Sequence, residues 1–270
     1  MSAPPTLKQA LVAHGLWARK SLGQHFLLDP SINARIAGVL GPLTGAPVLE
    51  IGPGPGGLTR ALLDAGADPV IAIEKDARFA PLLAPLAETG RFRLVEADAL
   101  EVDEATLLRA AGATAPARIV ANLPYNVATP LLVKWLKAGD WRGPMALMFQ
   151  KEVGERIVAQ PGDDAYGRLA VLAQSVCSAD IALTLPPGAF TPPPKVDSAV
   201  VRLEPLAQPF GDLPALERVT AAAFGQRRKM LRASLKNLNL DLAALGIAPT
   251  ARAEELSVAQ FQALAAASAL

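Results

Sequence analysis

The chain has 270 residues, 51% of them hydrophobic and 19% charged, which is enough for one large domain or one large and one small. A single cysteine, Cys177, excludes an internal disulfide, and with only His14 and His25 to add ligands no structural metal site is expected. The opening MSAPPTLKQA lacks an apolar signal core and no apolar run reaches the roughly 18 residues of a membrane span, so a soluble, cytoplasmic protein in a reducing compartment is expected.

PVLEIG (47–52) is a candidate buried strand, LTRALLDAGA (58–67) has helical spacing and an exit glycine, and PVIAIE (69–74) is a second strand. ARFAPLLAPLAETG (77–90) predicts a helix weakened by Pro81 and Pro85. RFRLVEAD (91–98), ARIVANLP (117–124) and MALMFQ (145–150) are the third, fourth and fifth strands, the last followed by a helix near 151–160. This alternation predicts the α/β class, a parallel sheet with crossover helices. After the polar loop PGDDAYG (161–167) comes RLAVLAQSVCSA; PGAFTPPPK (187–195), with four prolines in nine residues, predicts irregular structure. IALTL and SAVVRL are expected to pair as antiparallel edge strands.

Beyond Pro205 the composition turns Ala/Leu-rich. Helical spacing over 214–225, 228–238, 240–246 and 253–267 predicts a small all-helical C-terminal domain over 206–270, after a larger domain over 1–205 with a basic N-terminal arm. Phe224, Leu231, Leu235 and Leu238 fall on one stripe, and Lys229, Arg232 and Lys236 on another. The net charge of +1 hides an asymmetry. Residues 1–49 hold Lys8, Arg19, Lys20 and Arg35 against Asp29 alone; residues 218–236 hold Arg218, Arg227, Arg228, Lys229, Arg232 and Lys236 with no acid; residues 50–110 carry 11 acids and 6 bases. A centre that holds a small molecule and flanks that touch phosphate would have this distribution, as would surface scatter.

Gly52-Pro53-Gly54-Pro55-Gly56-Gly57 lies between a predicted strand and a predicted helix, and fits G-x-G-x-x-G through Gly52, Gly54 and Gly57. Glu74 ends the second strand, where a carboxylate meets ribose hydroxyls. The loop alone fits a dinucleotide-dependent oxidoreductase almost as well. Glu50 shifts the balance, because a carboxylate there repels pyrophosphate but suits a ligand with an ammonium and a sulfonium, such as S-adenosylmethionine. Pro53 and Pro55 also remove two N–H groups that a phosphate would use. Asp98, ending the third strand, is placed to accept from an adenine amine, or to cap a helix.

Asn122-Leu123-Pro124-Tyr125 closes the fourth strand. The N6 lone pair of adenine is delocalised into the ring and is a poor nucleophile. An Asn122 side-chain oxygen and a neighbouring carbonyl that accept the amine protons would make the nitrogen more tetrahedral, with Pro124 stiffening the turn and Tyr125 offering a stacking face. No strong base is needed, because the alkylated nitrogen becomes cationic and acidic, so positioning carries the catalysis. Asn and Pro also suit a plain tight turn. Phe190 is either a second wall for a flipped base or an anchor of its loop to the core.

KSLGQHFL (20–27), LEIGPGPGGLT (49–59), NLPYNVATP (122–130), AYGRL (165–169), FTPPPKVDSAVV (190–201) and FGQRRKMLR (224–232) occur in this order. Together they closely resemble the small-subunit (16S) rRNA adenine N6,N6-dimethyltransferases of the bacterial KsgA (RsmA) type, from about Lys20 to about Lys236. The resemblance implies a Rossmann-like class I S-adenosylmethionine-dependent methyltransferase sheet with a helical C-terminal rRNA-binding domain. It further implies dimethylation of two adjacent adenosines in the 3′-terminal stem-loop of 16S rRNA, in a late pre-30S particle, by an enzyme whose absence gives kasugamycin resistance; a monomer is the default expectation. By position, it implies cofactor contacts at His25, Leu27, Gly52, Glu74, Asp98 and Asn122, beside the Gly54 of the glycine loop, and a target base held by Asn122, Leu123 and Tyr125 with Phe190 beside it, on the turn that Pro124 stiffens. His25 departs from the family's usual asparagine, although an imidazole still donates one hydrogen bond, and Met230 replaces a common threonine. The related large-subunit dimethyltransferases that confer macrolide resistance share the fold and chemistry, but the PPPKVDSAVV and FGQRRKMLR blocks favour the small-subunit type. An assembly factor that binds pre-ribosomes without catalysis is a further alternative, against which the intact NLPY speaks.

Overall fold

The computed structural model describes residues 5–226 and 228–268. In chain order the elements are α1 (Leu7–Ala13), β1 (Phe26–Leu27), α2 (Pro30–Ala37), β2 (Val48–Ile51), α3 (Gly57–Asp64), β3 (Val70–Glu74), α4 (Ala80–Leu83), β4 (Phe92–Glu96), α5 (Glu104–Ala110), β5 (Ala117–Ala121), α6 (Tyr125–Leu136), β6 (Arg142–Gln150), α7 (Lys151–Val158), α8 (Arg168–Gln174), β7 (Cys177–Leu185), β8 (Phe190–Thr191), β9 (Ser198–Pro205), α9 (Leu213–Phe224), α10 (Leu231–Ser234) and α11 (Val258–Ser268).

Seven strands form one sheet in the order β4-β3-β2-β5-β6-β9-β7, and β1 pairs antiparallel with β8 apart from it. β2 runs parallel to β3 and β5, β3 to β4, and β5 to β6. β2 and β3 are buried along their whole length, which is why they read as unbroken apolar runs: in a parallel sheet crossover helices cover both faces. Each fully buried Val, Leu or Ile there contributes about 1.5–3 kcal/mol. The chain leaves β2 for β3 and β4 on one side and returns to β5 on the other. That reversal opens a crevice at the carboxyl ends of β2 and β5, where open α/β sheets bind ligands. Ile51 pairs with Ile73 and with Ala121, so Gly52 and Asn122 emerge side by side.

Several expectations are corrected. SAVVRL is not an edge strand: β9 lies between β6 and β7, so of the expected pair β7 alone is at an edge. The first four residues of β9 are buried, which fits an interior position. Residues 77–90 form 3-10 turns around the one-turn α4, because Pro81 and Pro85 each remove a helical N–H. In the C-terminal part only α9 and α11 are long helices. Residues 228–238 reduce to the four-residue α10 and a 3-10 turn, and 240–246 form turns. Asn239 takes a left-handed conformation (φ 51), which ends any helix across 228–246. Leu231 and Leu235 are buried, and Lys229, Arg232 and Lys236 are exposed, so the two faces hold without the continuous helix. Arg227 lies outside the described residues.

The chain divides into two units. The first runs to Lys151 and adds Ile181–Arg202; the second is Glu152–Asp180 with Leu203 onward. The boundary differs from a cut at residue 205, because residues 152–180 pack with the C-terminal part. There Tyr166 donates its hydroxyl hydrogen to the Leu256 carbonyl (3.0 Å), and Phe224 stacks on Phe261 (5.3 Å between centroids). The second unit is therefore assembled from two stretches that sequence composition does not link.

Candidate functional site

A cavity of about 280 Å³ in the first unit is lined by the segment Ser21–Leu27, by Glu50–Pro55, Glu74–Asp76, Ala97–Leu100 and Asn122–Val127, and by Asn33 from α2. It sits at the topological reversal described above. The glycine loop is shaped for close approach. Gly54 has φ 51, and its N–H donates to Glu74 Oε2 (3.0 Å). A Cβ on Gly57 would lie 2.7 Å from Asn33 Nδ2 and 2.8 Å from the Leu27 carbonyl oxygen, so only glycine fits there. Arg60 holds the loop from outside by donating to the Pro55 and Gly56 carbonyls (3.0 and 2.8 Å).

Four acidic side chains line the cavity, and each is handled differently. Glu74 is buried, and its carboxylate accepts from the N–H groups of Gly54 and Asp76; burial pushes its pKa up, against those bonds. Asp76 accepts from Arg78 and Gln24, and the Arg78 guanidinium is the main reason its pKa falls to about 2. Asp98 accepts from Lys75 (2.7 Å) and from the Leu100 N–H (3.0 Å); the Lys75 bond holds its carboxyl below the ordinary range. The loop after Asp98 is pinned by Lys134 of α6, which donates to the Ala99 and Val102 carbonyls and pairs with Glu104. Glu50 stands apart. It is 1% exposed, its Oε2 has no hydrogen-bond partner, and burial raises its pKa to about 8, with Thr59 and Arg60 opposing and Glu74 adding.

At the end of β5, Asn122 Nδ2 donates to the His25 carbonyl (3.0 Å), which leaves Oδ1 as the acceptor that a target amine requires. Leu123 is buried beneath the turn, and Pro124 (φ −57, ψ 130) immediately precedes α6. The Tyr125 hydroxyl is hydrogen-bonded to Ser198 (2.7 Å), and its ring stacks on His25 at 6.0 Å and 27°. His25 Nδ1 lies 2.7 Å from the Pro192 carbonyl. A carbonyl only accepts, so Nδ1 donates to it. The one hydrogen bond expected to be free for a ligand is thus spent within the chain.

The structure brings His25, Leu27, Gly52, Gly54, Glu74, Asp98, Asn122, Leu123, Pro124 and Tyr125 to one cavity. It does not bring Phe190 there. Phe190 is 4% exposed in the hydrophobic core, paired with Leu27 through β8 and β1, which matches the anchoring reading. Sequence reasoning missed Asn33, Gln24, Lys75 and Asp76. None of these stood out in the sequence: Asn33 shares the short α2 with Ser31 and Arg35, although it is buried in the structure.

A sequence model of the ribosomal RNA adenine dimethylase family matches residues 15–269. The curated Ribosomal RNA small subunit methyltransferase A of Phenylobacterium zucineum (strain HLK1) is 58% identical over 97% of this chain and 92% of its own length. That of Ruegeria sp. (strain TM1040) is 56% identical over 97% and 95%. Among solved structures, a dimethyladenosine transferase from Plasmodium falciparum superposes with a TM-score of 0.75 at 27% identity, covering 89% of this chain and 96% of that one. The 23S rRNA methyltransferase ErmE superposes with a TM-score of 0.68 at 27% identity, covering 91% and 100%.

Proposed function

The chain belongs to the ribosomal RNA adenine dimethylase family, and we propose that it methylates small-subunit rRNA, placing two methyl groups on the N6 amine of each of two adjacent adenosines in the 3′-terminal stem-loop of 16S rRNA within a late pre-30S particle. The fold is the Rossmann-like class I S-adenosylmethionine-dependent methyltransferase fold. The observation that carries the proposal is the convergence of Asn122–Tyr125 with the glycine loop and Glu74 on one cavity, in a chain more than half identical to relatives named for the small subunit.

The residues fit S-adenosylmethionine, which supplies an electrophilic methyl group on sulfur. Glu74 would hold the ribose hydroxyls with the lone pairs left by Gly54 and Asp76. Asp98 would accept from the adenine amine of the cofactor. Asn122 Oδ1 would accept a hydrogen bond from the target amine and turn its lone pair toward the methyl group. Holding an amine in this geometry is positioning catalysis, in which well-oriented groups supply much of the barrier reduction. Leu123 and Tyr125 would bound the base, the Tyr125 ring being fixed by Ser198 and His25. Exposed Arg228, Lys229, Arg232 and Lys236 in the second unit are suited to phosphate.

A second reading, methylation of large-subunit rRNA, draws on the likeness to ErmE. Methyl transfer from labelled S-adenosylmethionine to unmethylated 30S particles and to protein-free 23S rRNA, read by mass spectrometry of the nucleosides, separates them. Dimethyladenosine in 16S rRNA is expected. Dimethyladenosine confined to 23S rRNA would replace the proposal with the second reading, and no transfer to either would favour a binding factor.

A further inference from the structure

Two side-chain oxygens in the cavity wall are buried without a hydrogen-bond partner: Asn33 Oδ1 and Glu50 Oε2. Each residue is 1% exposed. Asn33 Nδ2 donates to the Leu27 carbonyl (3.1 Å), so the amide cannot turn over without losing that bond, and its oxygen stays an acceptor. The amide is wedged against the first turn of α3, where Gly57 has no side chain to displace it. Burying two unsatisfied acceptors in one cavity costs free energy unless a ligand brings the donors.

The cavity wall says what that ligand carries. Its one lysine, Lys75, is spent on Asp98, and Arg60 donates to carbonyls of the glycine loop. The missing partner is a positive group with several N–H donors, which describes a primary ammonium. A carboxylate does not fit beside Glu50. We propose that Asn33, together with Glu50, accepts the ammonium of the cofactor's amino-acid end, and that Asn33 makes the site select ligands that carry that end. This deepens the reading of the cavity as the S-adenosylmethionine site and rests on it.

The test is calorimetric binding of two ligands to the whole chain. S-adenosylhomocysteine has the amino-acid end; 5′-methylthioadenosine has the same nucleoside without it. Asn33→Leu should weaken S-adenosylhomocysteine by about tenfold, the size of one well-placed charge-assisted hydrogen bond, and leave 5′-methylthioadenosine within about twofold. Asn33→Asp keeps an acceptor but loses the donor to Leu27, and should retain S-adenosylhomocysteine binding within a few-fold; it also serves if the leucine variant fails to fold. Equal weakening of both ligands in Asn33→Leu, or failure of Asn33→Asp to do better, would overturn the proposal in favour of a packing role or a bridging water. Failure of the unmodified chain to bind either ligand would overturn the cofactor reading itself, and the Asn33 assignment with it.

Discussion

The two walls of the cavity solve the same problem in opposite ways. Along one, Glu74, Asp98 and Asn122 are acceptors whose orientations are set by the chain: backbone N–H groups hold Glu74, Lys75 and the Leu100 N–H hold Asp98, and donation to His25 holds Asn122. Along the other, Glu50 Oε2 and Asn33 Oδ1 are buried oxygens with no hydrogen-bond partner. A pre-oriented acceptor with spare lone pairs suits neutral polar edges such as hydroxyls and amines, because little reorganises when they arrive. An unsatisfied buried carboxyl suits a cation, because only a charge with its own protons repays the burial.

The largest effect should come from breaking the first wall at its reaction end. Asn122→Ala should lower kcat for methyl transfer by about 10²–10³-fold, the scale set by removing one positioned polar partner of a reacting group, while rRNA binding changes little; equal loss of both would contradict the assignment. Single-turnover transfer alongside filter binding reads the two.

Breaking the second wall should alter stability before activity is considered. Glu50 has a pKa of about 8 against an ordinary 4.5. Between those values the folded chain holds a proton that the unfolded chain has released, so this group's contribution is full below about pH 4.5 and is lost as pH rises through 8. The slope approaches 1.4 kcal/mol per pH unit at most. Glu50→Gln should remove that slope from urea melts of the ligand-free protein, and an unchanged slope would refute the burial argument.

These walls were unequally legible. The α/β rhythm, the glycine loop and the NLPY turn could be read because the buried strands β2, β3 and β5 write nearly continuous apolar runs that lead into Gly52, Glu74 and Asn122. Asn33 could not, since with Ser31 and Arg35 in the same short helix it reads as part of a solvent face. Phe190 was left between two readings because nothing local shows that Phe190 and Thr191 pair with Leu27 and Phe26. The short C-terminal turns were hidden by Ala/Leu content that scores as helix wherever it occurs.

A change outside both walls provides a control. Neutralising Arg228, Lys229, Arg232 and Lys236 should weaken rRNA binding and flatten its dependence on log salt by about 0.7 for each phosphate no longer neutralised, with cofactor affinity untouched. Titrations at several salt concentrations would show it, and an unaltered slope would remove these residues from the interface. The smallest effect should be at the Lys75–Asp98 pair, where Lys75 is 66% exposed. Lys75→Met should shift cofactor affinity by no more than about a few-fold, and less still at high salt. A larger loss by calorimetry would mean that Lys75 itself touches the ligand.

The contrast between the walls is tested most directly by counting protons. Calorimetry of S-adenosylmethionine binding at pH 7, in buffers of different ionisation enthalpy, gives the protons released per binding event. Glu50, protonated when buried alone and ionised beside an ammonium, should release most of one proton, and Glu50→Gln should abolish that release. Equal proton exchange in the two proteins would contradict the account, because Glu50 would then not be the group that meets the charge.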